Sequence, residues 1–263
     1  MVRQITDGSV NSINSVCSGN HKATVILLRG LAREQEHWGN FPLLLSQAID
    51  QQVLCVDLPG MGQYWQHRTP ASLCGILTLV RRQLRKQQGP YHLFAMSLGG
   101  MLAMRWAELY PAEVASLLLV NSSAGSLTPF YQRLRWQSYP TVVAALCANL
   151  RQREQLILHL TSNQPEVRQA HVAGFVRLAG LRPISRLNAL RQLWAASNFV
   201  LPDKPACPVL LLGSKRDRLV DVVASEKIAQ CWQVPLRLHP SAGHDLALDD
   251  PAWLLQQAVD FYR

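Results

Sequence analysis

The chain has 263 residues, 48% of them hydrophobic and 16% charged, which suits one globular domain with a full core and excludes a disordered polypeptide. Lysine and arginine outnumber aspartate and glutamate by 26 to 17, a formal net charge of +9, but no nucleic-acid motif accompanies the basicity and nucleic acid is not expected as a partner. No apolar stretch approaches the roughly 18 residues of a membrane span, which excludes stable membrane insertion.

The elements follow in chain order. Residues 1–20 are polar, without the apolar region of a signal peptide. Residues 24–28 form a short apolar run that reads as a strand, and Arg29-Gly30-Leu31 opens the loop after it, with Trp38 further along. A second strand is expected at 53–57, running into the turn Asp57-Leu58-Pro59-Gly60-Met61-Gly62. A third, at 91–94, leads through Ala95-Met96-Ser97-Leu98-Gly99-Gly100 into a helical pattern at 101–107. A serine between small residues at a sharp strand-to-helix turn reads as a nucleophile elbow. The glycines keep side chains out of the opposite arm of the turn and let the helix lie close to its strand. The plain alternative for Ser97 is a helix cap.

A fourth strand is expected at 116–120. Further on, the continuous apolar run 208–212 reads as a buried parallel strand, and Gly213-Ser214-Lys215-Arg216-Asp217 follows it. The last strand, 235–239, precedes Ser241-Ala242-Gly243-His244-Asp245, and a helix at 251–262 closes the chain. Ser97, Asp217 and His244 thus fall just beyond three strands, where open α/β sheets place their ligand-binding groups. Each has a plainer competitor. Asp217 could pair with Arg216 or Arg218 and leave its role to Asp221, and His244 could be a solvated loop residue. Asp245, Asp249 and Asp250 read as turn residues and the cap of the last helix, with Pro251 at its first position.

The order serine, aspartate, histidine, together with the strand exits and the Asp-x-x-Gly-x-Gly turn at 57–62, resembles the α/β-hydrolase superfamily, and the nearest look-alikes are small esterases and carbon-bond hydrolases. The resemblance implies an α/β-hydrolase fold: a mostly parallel central sheet flanked by helices, with an inserted helical cap. Ser97 would be the nucleophile, His244 its base and Asp217 the group that orients the imidazole. The backbone N–H groups of Leu31 and Leu98 would form the oxyanion hole. No cofactor and no metal are implied, and the substrate would be a small-molecule carboxylic ester. Superfamily members usually carry His-Gly where this chain has Arg29-Gly30. An arginine there must either point to solvent or find a carboxylate, and Glu34 and Glu36 are the nearby candidates. The superfamily's first strands are hard to place in residues 1–20, which implies a shortened sheet edge.

The expected organisation is a hydrolase core at 1–121 and 206–263, with the cap at 122–205. Apolar residues at helical spacing run through that insertion. It holds ten basic residues against three acidic ones, +7 of the whole-chain +9. A solvated helix face explains such charge without a partner. An anion-guiding surface explains it too. The superfamily includes an esterase that cleaves pimeloyl-acyl-carrier-protein methyl ester and docks its acidic carrier on basic cap residues. By that resemblance Arg133, Arg135, Arg151 and Arg153 would meet an acidic carrier protein or anionic substrate, and Trp38 would lie near the substrate. Thioester cleavage and a non-catalytic ligand-binding role are the alternatives. The six cysteines, at 17, 55, 74, 147, 207 and 231, lack metal-ligand spacing, so reduced thiols and a cytoplasmic location are expected.

Overall fold

The computed structural model describes residues 23–263; the expectations for residues 1–20 and Cys17 lie outside them. Six strands, β1 (Val25–Leu28), β2 (Val53–Val56), β3 (Tyr91–Met96), β4 (Val114–Val120), β5 (Val209–Ser214) and β6 (Leu236–His239), form one sheet in the order β2-β1-β3-β4-β5-β6. Every pairing is parallel. Strand exits therefore share one edge of the sheet.

The apolar strand runs are explained by burial on both faces. Ile26, Leu28, Leu93, Ala95, Leu117, Leu119 and Leu211 face one core, packed by α2 (Leu73–Gln83), α3 (Leu98–Leu109) and α9 (Val223–Trp232). Their neighbours Val25, Leu27, Phe94, Met96, Leu118, Val120 and Leu212 face the other, under α1 (Phe41–Ile49) and the last helix, Pro251–Tyr262. With each fully buried side chain worth about 1.5–3 kcal/mol, these central strands anchor the loops at their exits.

Between β4 and β5 the chain forms α4 (Phe130–Arg133), α5 (Tyr139–Cys147), α6 (Leu150–Thr161), α7 (Pro165–Leu181) and α8 (Arg186–Ser197). α5 packs on α6 and α6 on α7. Polar side chains fasten this insertion to the core. Asn188 accepts from the Thr69 N–H at 3.0 Å and donates to the His67 carbonyl at 3.0 Å. Gln192 accepts from the Ala32 N–H at 3.2 Å. Arg33 meets Glu154 at 2.7 Å with both side chains buried, and the rings of His37 and Phe175 lie 4.5 Å apart.

The turn after β2 shows why its glycines are there. Asp57 accepts from the N–H groups of Gln35, at 2.8 Å, and Gln63, at 3.0 Å. Gly62 has φ +48°, and a Cβ there would sit 2.0 Å from the Asp57 carboxylate. Among the described residues no helix is long and apolar enough to cross a membrane.

Candidate active site

Ser97 occupies the turn between β3 and α3 with φ 55° and ψ −118°, a conformation that costs a non-glycine residue on the order of 1–3 kcal/mol. The surroundings hold it there. Its N–H donates to the Val120 carbonyl at 2.9 Å. A Cβ on Gly99 would come within 2.6 Å of the Leu28 carbonyl oxygen, and one on Gly100 within 1.9 Å of the Ser122 hydroxyl. Gly30, in the loop after β1, is so close that its Cβ would lie 3.0 Å from that of Ser97. Leu31 follows in that loop, and Leu98 is the first residue of α3, whose N–H has no acceptor within the helix.

Asp217 and His244 meet beyond β5 and β6. The imidazole Nδ1 lies 2.6 Å from Asp217 Oδ2, and the other carboxylate oxygen accepts from the N–H groups of Leu219, at 2.7 Å, and Val220, at 2.9 Å. An ionised carboxylate only accepts, so the proton on that imidazole nitrogen belongs to the histidine. Both side chains are buried. Burial alone would lower the His244 pKa. The charge and hydrogen bond of Asp217, then the charge of Asp245, outweigh it and leave the pKa raised. Arg216 and Arg218 are not the ion partners of Asp217; Asp221 instead accepts from the Val223 N–H at 3.1 Å and faces Arg135 at 3.8 Å.

Two residues tie these loops together, Asn121, which the sequence reading passed over, and Asp245, which it read only as part of a turn. Asn121 donates to the His244 carbonyl at 2.8 Å and the Ser214 hydroxyl at 3.1 Å, and accepts from the Ser214 N–H at 2.8 Å. Its φ is +47°, a region that asparagine tolerates better than most residues. Val120 and Asn121, adjacent in sequence, thus hold the Ser97 turn and the His244 loop. An asparagine at a strand exit before two serines was the available signal.

The second is Asp245, which corrects the expectation for Arg29. Its carbonyl does open the turn at 246–249, accepting from the N–H groups of Leu248, at 3.1 Å, and Asp249, at 3.0 Å, but Arg29 pairs with neither Glu34 nor Glu36. Instead Arg29 grips Asp245 through its two terminal guanidinium nitrogens, at 2.5 and 3.2 Å, while Nη1 also lies 3.6 Å from the Met96 sulfur. Arg29 therefore touches the residue before Ser97 and the residue after His244. Glu34 takes Arg182 from the insertion, at 3.1 Å. Asp249 is buried and accepts from the Ser162 hydroxyl at 2.5 Å and the Gly243 N–H at 2.7 Å. Asp250 does cap the last helix, accepting from the Trp253 N–H at 2.9 Å.

The remaining expected binding residues lie apart from one another. Trp38 is core: it stacks on Phe41 at 5.7 Å, and the Arg29 guanidinium covers its ring at 4.6 Å. Arg133 donates to the carbonyls of Ser197, at 2.9 Å, and Ala196, at 2.5 Å, joining α4 to α8. Arg135 donates to the Asp217 carbonyl at 3.2 Å. Arg151 is exposed, and Arg153 is half-buried 3.7 Å from Glu154.

A parallel sheet with polar groups gathered at its strand exits defines an enzyme of α/β architecture. The profile described as "Alpha/beta hydrolase family" matches residues 25–257, and the chain belongs to that family. It is similar to the mouse (Mus musculus) monoacylglycerol lipase ABHD6, with 23% identity over 92% of this chain and 76% of that protein. Among solved structures it resembles the putative non-heme bromoperoxidase BpoC from Mycobacterium tuberculosis H37Rv, with a TM-score of 0.74, 17% identity and 93% of each chain covered. It also resembles a putative lipase (lip1) from Acinetobacter baumannii AYE, with a TM-score of 0.67, 23% identity and coverage of 91% of this chain and 83% of that one. These structures share its fold.

Proposed function

We propose that the protein is a serine hydrolase that cleaves a carboxylic ester, of the small-lipid kind acted on by the monoacylglycerol lipases to which it is similar, through an acyl-enzyme. The observation that carries this reading is the buried 2.6 Å contact between His244 and Asp217, on a loop tied through Asn121 to the strained Ser97 turn. His244 Nε2 takes the Ser97 proton as Oγ attacks the acyl carbon. The N–H groups of Leu31 and Leu98 stabilise the oxyanion, each worth about 3–4 kcal/mol of barrier. His244 returns the proton to the leaving alcohol, then activates the water that releases the acid. Residues 122–205 act as the cap, and 1–121 with 206–263 as the core.

The test is intact-mass analysis after exposure to a fluorophosphonate, with Ser97→Ala as control. One adduct on Ser97, missing from the variant, is expected. A folded protein that forms no adduct would overturn the assignment and favour a non-catalytic binding role.

A further inference from the structure

A cleft of about 840 Å³ opens beyond β5 where the 215–218 loop meets the insertion. Neither Ser97 nor His244 lines it. Arg135, Arg168, Lys215, Arg216 and Arg218 do, and the single carboxylate in the lining is Asp217, already engaged by His244 and two backbone N–H groups.

Arg168 and Arg218 are the informative pair. Both are half-buried, and both donate to the same Ser162 carbonyl oxygen, at 2.8 and 2.6 Å. Two like charges are thus drawn over one neutral acceptor. Among the described residues no carboxylate makes an ion pair with either. Burial and then the Arg168 charge lower the Arg218 pKa, against the weaker opposing fields of Asp249 and Asp217. His159, also in the lining, is lowered by burial and then by Arg218 and Arg168. The Arg218 Nε is buried with no hydrogen-bond partner. A solvated surface explains the exposed Lys215 and Arg216. It does not explain two guanidiniums converging on one carbonyl where water is partly excluded.

We propose that this cleft binds a phosphate group between Arg168 and Arg218. Planar guanidinium forks match phosphate oxygens in pairs, and a cleft of this size takes a phosphate with a small organic remainder. The site does not depend on the Ser97 chemistry. Because Asp217 sits in its wall, a bound phosphate touches the loop that carries the histidine's partner.

Calorimetric titration of inorganic phosphate, at low and fixed ionic strength with chloride as control, tests this. Wild type should bind phosphate, and Arg168→Gln/Arg218→Gln should weaken binding by at least about tenfold. Lys215→Gln/Arg216→Gln should weaken it less. If the first pair of substitutions prevents folding, Arg168→Lys carries the test, because it keeps the charge and loses the fork; several-fold weaker binding is expected. Absence of phosphate binding in wild type, or equal binding in wild type and the Arg168 and Arg218 variants, overturns the proposal. Two further titrations into Ser97→Ala identify the source of the phosphate. Glycerol 3-phosphate bound as tightly as its short-chain monoacyl ester supports a free effector. Tighter binding of the acylated compound supports a substrate headgroup.

Discussion

Arg29 and Asp245, 216 positions apart in sequence, form a two-pronged ion pair whose side chains are only 3% and 5% exposed. Breaking a buried pair leaves an uncompensated charge and costs about 3–5 kcal/mol. Asp245→Asn and Arg29→Ala should each lose stability of that order in urea denaturation. Replacing both, as Arg29→Met with Asp245→Leu, should recover most of the loss. If Asp245→Asn unfolds like wild type, the pair does not contribute as described.

The raised pKa of His244 sets the sign of the pH dependence. Protonated histidine cannot act as a base, and a raised pKa extends that form to higher pH. The acid limb of kcat/KM should therefore inflect above the ordinary 6.5, with activity lost as pH falls through it. Asp245→Asn removes a charge that raises this pKa and leaves Arg29, which lowers it. The inflection should move down in that variant. A limb that does not move would sink this account of the charges around His244.

Asn121 tests whether the loops need their tie. Asn121→Ala removes the bonds to Ser214 and the His244 carbonyl and puts alanine at φ +47°. Misplacing a base by about 1 Å costs on the order of 10–100-fold in rate, so kcat should fall by that much with KM little changed. Asn121→Asp keeps the acceptor for the Ser214 N–H and should recover part of it. Steady-state kinetics on a neutral ester, with unfolding curves beside them, would expose a purely structural role as lost stability at unchanged kcat.

Glu34 links stability to pH in the opposite sense from an ordinary salt-bridged acid. Burial raises its pKa from 4.5 to about 7, against the lowering effect of Arg182 and with smaller upward contributions from Asp57 and Glu36. Between those values the folded protein keeps a proton that the unfolded chain has released, so stability falls as pH rises across the window. Wild type should lose melting temperature between about pH 5 and pH 8 from this source. Glu34→Gln cannot titrate and should lose less. Parallel slopes for the two proteins would refute it.

What the sequence disclosed followed from local pattern. The apolar runs at 24–28 and 208–212 were legible as buried strands because both of their faces meet a core, as Leu27 and Leu28 or Leu211 and Leu212 now do on opposite sides. The glycines beside Ser97 marked a turn because close approach leaves room for nothing larger. Long-range pairing left no such trace. Arg29 has Glu34 and Glu36 close in sequence, yet the loop directs it to Asp245, while Glu34 receives Arg182 from an insertion 148 positions away. Asp245 looked like one of a run of turn acids. Arg133 looked like part of a charged surface, but its guanidinium is spent on two backbone carbonyls. Composition counts charges; only the folded chain shows which are already engaged.

The end of α6 rests directly on the histidine loop. The Thr161 carbonyl accepts the Asp245 N–H at 2.7 Å, and a Cβ on Gly243 would sit 2.6 Å from that same carbonyl oxygen. Ser162 and Asn163 then reach Asp249 in the same stretch. The insertion and the 241–249 loop are therefore one mechanical part, although some eighty residues separate them. An engineer who grafts the insertion of another hydrolase onto this core, to change what the enzyme accepts, would have to carry the histidine loop across with it.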